Sequence, residues 1–244
     1  MTSNLLNIKS LERLIGFSFF YDYFQYGVVQ VKWTDFTNEW QECFQIAWES
    51  FQEGSKPVGA IVFNDKGNIV SRGKCATFNQ LSNTVISHNE LAHAEVNALL
   101  KLDNRIHKKV NAYVLYSTLE PCPLCFSAFY MSGIRNLKYA AKDKYGGSTN
   151  LKDTTPYLSR KPISIDGPIM YLEQLSILIN VYFDLSIDYE KAKPVHQLMS
   201  EDYPQVIKMA EEWVESEKLK DARNLKIEDV FDMYIKDFHQ IMQV

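Results

Sequence analysis

Two short motifs constrain the fold of this chain more than any other feature of its sequence. They are His93-Ala94-Glu95 and Pro121-Cys122-Pro123-Leu124-Cys125, and each lies near the start of a predicted helix. Cys122 and Cys125 are three residues apart, so they share one face of a helix. With the His93 imidazole, their thiolates supply three zinc ligands and leave the fourth tetrahedral position open, as in catalytic rather than structural sites. The two helix starts must therefore meet around one metal ion.

The spacing within the first motif predicts the role of its carboxylate. His93 and Glu95 are two residues apart, so on a regular helix their side chains would point to nearly opposite sides. Both face one metal ion only if that ion lies off the first turn of the helix. Glu95 is then a carboxylate beside the site rather than a ligand. It can take a proton from water and pass it to a substrate ring and to a leaving amine.

Hydrophobic periodicity predicts the elements that carry these motifs. A helix is expected from about Thr37 to Gly54, and a hairpin, three further helices and three further strands follow it. Pro121 is expected to open the third helix and Gly133 to close it. The alternation of helices and strands predicts an α/β sandwich. The predicted ranges are 57–63 and 68–73 (hairpin), 90–102 (helix), 112–119 (strand), 121–133 (helix), 137–142 (strand), 162–166 (short strand) and 171–183 (helix).

Composition excludes several classes of protein. Hydrophobic residues make up 46% of the 244 residues and charged residues 23%, which is typical of a folded globular chain. The net charge of −4 argues against strong non-specific binding to nucleic acid. The sequence shows no signal-peptide pattern and no uncharged run of about 18 residues, so we expect a cytoplasmic protein with no membrane partner.

The remaining cysteines do not complete a structural zinc site. A Cys-x-x-Cys pair alone also fits a structural zinc half-site or a redox pair. A structural site would need a fourth Cys or His ligand, but Cys43 lies on the apolar face of a predicted helix and Cys75 in a distant loop. The two motifs together therefore favour a catalytic zinc centre.

The motifs resemble the cytidine deaminase superfamily, whose signature is His-x-Glu followed by Pro-Cys-x-x-Cys. Within it, the chain is similar to the branch of tRNA adenosine deaminases and guanine deaminases. The segments that carry this likeness are Pro57-Val58-Gly59-Ala60, Thr118 to Cys125, Met131-Ser132-Gly133-Ile134 and Ala141-Lys142-Asp143 with Gly146-Gly147-Ser148. The resemblance implies a three-layer α/β/α sandwich around a five-stranded mixed sheet, in which the last two strands run parallel.

The resemblance also implies the occupants of the site. It implies Zn2+ as cofactor, held by His93, Cys122 and Cys125, with Glu95 as the catalytic residue. Asn79 aligns loosely with a substrate-binding asparagine of the branch, although it also fits a turn-capping role. Two further candidate substrate contacts are Val58 and Ala94. We also expect a homodimer.

Two extensions flank the predicted deaminase domain, which we place at residues 37–186. Residues 1–36 are apolar and aromatic, and they predict a helix that leads into a short strand near Val28–Val31. Residues 187–244 form a charged tail with a helical pattern. Because both extensions carry apolar residues that need burial, we expect terminal chain to narrow the active site and to favour small substrates.

Three functions are compatible with the sequence. The first is zinc-dependent hydrolytic deamination of a nucleobase, nucleoside or nucleotide in nucleoside metabolism, with a purine such as guanine or adenine favoured. The second is a tRNA adenosine deaminase, which the branch likeness supports and the net charge opposes. The third is a non-catalytic, zinc-stabilised scaffold or partner-binding subunit. Because Glu95 is present, the sequence favours an enzyme.

Overall fold

The structure is a computed structural model that describes residues 31–79 and 83–242. The predicted N-terminal helix and most of the short strand after it lie outside these residues. Val31, the last residue of that predicted strand, is buried and is not in a strand. No helix in the described ranges combines the length and the apolar character that crossing a membrane requires.

A five-stranded mixed sheet forms the centre of the fold. Its order is β2-β1-β3-β4-β5. β1 pairs antiparallel with both β2 and β3, whereas β3, β4 and β5 run parallel. The predicted mixed sheet and its parallel last strands are therefore confirmed. The strands are β1 (Gly59–Phe63), β2 (Ile69–Lys74), β3 (Val114–Leu119), β4 (Asn136–Ala141) and β5 (Ser164–Asp166).

Helices cover both faces of this sheet and complete the predicted sandwich. α1 and α4 pack on one face, while α2 and α3 pack on the other. Side chains alternate along β1, so Ile61 joins the core on the α1 face while Ala60 and Val62 join the core on the α2 face. The helices are α1 (Asn38–Gln52), α2 (Ala94–Leu99), α3 (Pro123–Ser132), α4 (Leu172–Ser186), α5 (Lys193–Ser200), α6 (Pro204–Glu215) and α7 (Ile227–Met242).

The C-terminal tail is helical, as predicted, and packs outside α1 and α4. The Trp48 indole N–H in α1 donates to the carbonyl of Leu225 at 2.8 Å. The Phe231 ring in α7 lies 5.5 Å from the rings of both Trp33 and Phe36. The tail therefore adds a further layer on the sheet face opposite to α2 and α3. The division of the chain at residue 186 stays a prediction. One hydrophobic core extends across that position.

Two predicted helix starts were wrong by a few residues. The helix expected over 90–102 is confined to Ala94–Leu99, because turns occupy the residues before His93. The helix expected to open at Pro121 opens at Pro123, with Cys122 as its N-cap. A residue before proline is disfavoured in the α region, so Pro123 holds Cys122 extended and delays the helix.

One glycine sets the distance between α2 and the sheet. A Cβ atom at Gly73 would collide with the backbone of Ala94 and Ala98 in α2. The Ser71 hydroxyl also donates to the Ala98 carbonyl at 2.5 Å. The absence of a side chain at Gly73 therefore lets the helix start that follows His93 lie directly on β2.

We expect Gly73→Ala to lower the free energy of unfolding by about 1–3 kcal/mol, because overpacking forces α2 away from β2. It should also weaken zinc binding by about tenfold or more, as loss of the support around a ligand does. Thermal unfolding and zinc titration measure both effects. Gly67→Ala is the control, because Gly67 has a positive φ of 76° but no neighbour within 4 Å of an added Cβ. That variant should be strained yet bind zinc normally; equal zinc loss in both variants would contradict the role of Gly73.

Candidate metal centre

The structure brings the three predicted zinc ligands together at one edge of the sheet. His93 Nδ1 lies 3.4 Å from the sulfur of Cys122 and 3.4 Å from that of Cys125. All three ligand atoms lie within 4.8 Å of one another. Tetrahedral zinc with ordinary bond lengths would place nitrogen and sulfur about 3.6 Å apart. The donor set and its spacing therefore fit a zinc ion.

Local backbone conformation explains how residues from two helix starts converge. His93 is the N-cap of α2 and has extended dihedral angles, φ −76° and ψ 154°. Cys122 is the N-cap of α3 and is also extended, with φ −68° and ψ 174°. Since His93 lies just outside its helix, its side chain and that of Glu95 reach the same region. The expectation that the metal lies off the first turn of α2 agrees with this geometry.

Electrostatics favour a thiolate at the metal centre even before metal binds. The hydrogen bond from the Cys125 thiol lowers the pKa of Cys122 to about 4. The N-terminus of α3 favours the same charge. The hydrogen bond with Cys122 in turn raises the pKa of His93 and, together with burial, that of Cys125. Zinc binding expels the remaining proton, because both sulfurs must be thiolates to bind zinc.

The Glu95 carboxylate lies beside the ligands and is almost completely buried. Only 3% of the residue is exposed. Its Oε2 atom lies 3.2 Å from the Cys125 sulfur, and its Oε1 atom accepts a hydrogen bond of 3.0 Å from the Ser117 hydroxyl in β3. Burial raises the pKa of Glu95. This arrangement suits a group that gains and loses a proton close to the metal.

A buried amide that sequence reasoning missed supports the ligand-bearing loop. Asn97 in α2 is fully buried. Its Oδ1 accepts from the backbone N–H groups of Val85 and Ile86, at 2.9 and 2.8 Å. Its Nδ2 donates to the carbonyls of Lys74 and Ile86, at 3.1 and 3.0 Å. Asn97 thus ties the loop before His93 to the end of β2. One signal in the sequence could have indicated this role: Asn97 lies one helical turn after His93, among apolar residues.

A second buried polar group orders the loop after β4. Glu120 is 4% exposed and directly precedes the Pro121-Cys122 segment. Its carboxylate accepts from the backbone N–H groups of Asp143 and Thr149, both at 3.2 Å, and from the Thr149 hydroxyl. The chain that leads into Cys122 is therefore bonded to the neighbouring loop.

The predicted substrate contacts lie in different surroundings. Asn79 donates from its amide to the carbonyls of Gly54 and Glu53, at 2.8 and 3.3 Å, so this side chain caps the end of α1. Val58 is buried just before β1, and its carbonyl accepts from the Cys75 N–H at 2.9 Å. Ala94 is fully buried between the two residues of the first motif. A substrate role for these three residues stays a prediction.

We expect Cys122→Ala to lose most of the bound zinc and to lower the thermal unfolding midpoint, because zinc binding free energy is also folding free energy. Metal analysis of the purified variant and thermal unfolding check this. Cys75→Ala is a matched control, since Cys75 is a buried free cysteine outside the ligand group. Full zinc occupancy in Cys122→Ala would show that the ligand set is wrong.

Comparisons with known proteins agree with the geometry. Residues 37–141 match the family described as the cytidine and deoxycytidylate deaminase zinc-binding region. The tRNA-specific adenosine deaminase of Rickettsia felis is 32% identical over 112 residues, which cover 44% of this chain and 72% of that protein. The guanine deaminase of Bacillus subtilis is 31% identical over 106 residues, covering 41% of this chain and 60% of that one.

A solved structure from a study of tRNA:A34 deaminases is 26% identical, with a TM-score of 0.43 over 51% of this chain and 93% of that chain. The similarity to the Rickettsia relative extends over 72% of that protein, and the family match over residues 37–141 includes both motifs. The chain therefore belongs to the cytidine and deoxycytidylate deaminase family of zinc-binding enzymes.

Proposed function

We propose that this zinc-dependent deaminase hydrolyses the exocyclic amine of a small purine, as a free base, nucleoside or nucleotide, and releases ammonia. The buried Glu95 carboxylate beside a three-ligand metal centre is the observation that carries this proposal. The names of the relatives support a purine, because adenosine and guanine both carry an amine on a ring carbon next to a ring nitrogen. A non-catalytic scaffold has no need for a buried carboxylate at this point.

The residues of the chain divide the chemistry between them. Zinc, when bound, lowers the pKa of a water ligand to about 7. Glu95 accepts one proton from the attacking water and delivers it to the ring nitrogen next to the reacting carbon. It then takes the second proton from the newly attached hydroxyl group and passes it to the departing amine. One water is consumed and one ammonia is released. Burial raises the pKa of Glu95, which favours the protonated form of this carboxyl group and suits a proton carrier.

Contacts of the tail support a small substrate. Three loops at the metal-bearing edge of the sheet contact the segment that joins α4 to α6: the loop before β1 through Lys56, the loop after β2 through Phe78, and the loop after β4 through Lys144. The Tyr189 ring lies 5.1 Å from the Phe78 ring and 5.6 Å from the Lys56 ammonium, and Lys144 pairs with Glu201 at 2.8 Å. The segment therefore reaches loops that flank the metal-bearing edge, which supports a site that admits small molecules.

The distribution of charge along the sequence also supports a small substrate. Residues 187–244 contain 13 acidic and 8 basic residues, whereas residues 1–186 contain 17 acidic and 18 basic ones. The net negative charge therefore belongs to the tail. A region with an excess of acidic residues repels the phosphates of a folded RNA.

A tRNA adenosine deaminase is the second candidate, and the likeness to the Rickettsia felis protein favours it. Ammonia release from purine bases, nucleosides and nucleotides, compared with release from an RNA stem-loop, separates the two. We expect turnover of a small purine with little dependence on salt. A clear preference for the stem-loop, with a steep loss of activity as salt rises, would favour the tRNA candidate instead.

The homodimer and a role in nucleoside metabolism, both expected from the resemblance, belong to the same proposal. Leu124 and Met131 on α3 are 38% and 68% exposed, and such apolar side chains support an interface on that helix. Sedimentation of the zinc-loaded protein measures its oligomeric state directly.

We expect Glu95→Gln to keep the fold and the zinc but to lower turnover by about a hundred- to ten-thousand-fold, because an amide cannot transfer protons. Ammonia release and metal analysis of the same sample test this. Glu42→Gln makes the same chemical change at an exposed residue on α1 that pairs with Arg72, and it should retain full activity. Wild-type turnover in zinc-loaded Glu95→Gln would remove Glu95 from the mechanism.

A further inference from the structure

We propose that Ser117 is the positioning residue for Glu95, and that its hydroxyl holds the carboxylate in the orientation that proton transfer needs. Ser117 lies in β3 and is fully buried. The inference rests on the deaminase function proposed above. It assigns a role to a residue that belongs to neither motif and binds no metal.

In this hydrogen bond the Ser117 hydroxyl donates and the Glu95 carboxylate accepts. Ser117 lies two residues after Leu115, so it points to the same sheet face as Leu115, toward α2 and α3. Its Oγ atom is 3.0 Å from Glu95 Oε1. The backbone N–H of Leu119 donates to the same Oγ at 3.4 Å. The Ser117 hydroxyl thus accepts from Leu119 and donates its one proton to the Glu95 carboxylate.

The two carboxylate oxygens of Glu95 have different neighbours. Oε2 lies 3.2 Å from the Cys125 sulfur. As a zinc ligand Cys125 is a thiolate, which cannot donate. Ser117 is then the described side chain that still donates to Glu95, and it does so from a rigid strand. Oε1 is thereby held by β3, and Oε2 faces the ligand group.

Loss of this anchor should affect the chemical step rather than substrate binding. Glu95 has three rotatable side-chain bonds, and an error of about 1 Å in the position of a reacting group can cost about a hundredfold in rate. An interaction that matters only in the transition state changes kcat and leaves KM nearly constant. A serine that merely filled space in the core would instead change stability and zinc content.

The first test compares Ser117→Ala, Ser117→Thr and Ser176→Ala in the zinc-loaded enzyme. Ser176 is the matched control, since it is also fully buried and donates to the Thr118 carbonyl at 2.8 Å, on the other sheet face. We expect Ser117→Ala to keep its zinc, to lose about ten- to a hundredfold in kcat, and to change KM less than about threefold. Threonine keeps the hydroxyl and should restore most of kcat, while Ser176→Ala should keep it. A kcat within about twofold of wild type in zinc-loaded Ser117→Ala would overturn the proposal.

The second test needs no activity and covers the case in which threonine does not fit the core. The thermal unfolding midpoint of the zinc-loaded protein is measured for Ser117→Ala alone, for Glu95→Ala alone and for the double variant. We expect Ser117→Ala to lower the midpoint clearly in the wild-type background and much less when Glu95 is already alanine. Equal losses in both backgrounds would show that Ser117 acts independently of Glu95. If the wild type releases no ammonia from any substrate, the proposed function fails, and this cycle still decides whether Ser117 holds Glu95.

Discussion

The rest of this structure depends on one requirement, namely that two thiolates and an imidazole lie within bonding distance of a single ion. The ligands come from two separate helix starts, so those starts must pack side by side at one edge of the sheet. The parallel β3–α3–β4 connection and the antiparallel β1–β2 hairpin both deliver chain to that edge. The two sulfurs, Cys122 and Cys125, would repel each other if both were thiolates with no cation between them. A shared proton between Cys122 and Cys125 relieves that repulsion until zinc replaces it.

Precise placement of α2 requires support well beyond the ligands themselves. Gly73 allows the helix backbone to approach β2, Asn97 binds the preceding loop to the strand end, and Ser117 contacts the carboxylate from β3. α2 has only six residues, so its own hydrogen bonds hold it weakly. The sheet therefore determines the position of α2, and it also holds the catalytic carboxylate on this helix in place.

The sequence allowed the ligand set, the order of the elements and the mixed sheet to be predicted, because each depends on local spacing or on hydrophobic period. It did not allow the start of α3 to be placed, although the effect of Pro123 on Cys122 is a local rule that was available. The hydrogen-bond partners of Asn97 and Ser117, in contrast, follow from no local rule. Their hydrogen bonds join segments far apart in sequence, which local spacing does not reveal. For Asn79 the sequence left a substrate contact and a capping role open. The structure shows its amide at the end of α1, and the substrate role stays a prediction.

The burial of α4 explains why the C-terminal tail packs where it does. Residues 175–184 of α4 are buried on every side, although a helix that covers one face of a sheet needs only one apolar stripe. A second layer must cover the outer side of α4, and α6 and α7 supply it. Hydrogen bonds then link this layer to the metal-bearing edge: the Tyr203 hydroxyl donates to Glu173 at 2.7 Å, and Glu173 accepts from the Lys142 N–H at 3.1 Å. The residue after Lys142 donates from its backbone to Glu120, beside the Pro121-Cys122 turn. The tail is thus continuous with the core that holds the site, and a change in its packing reaches the loops around the zinc ligands through direct bonds.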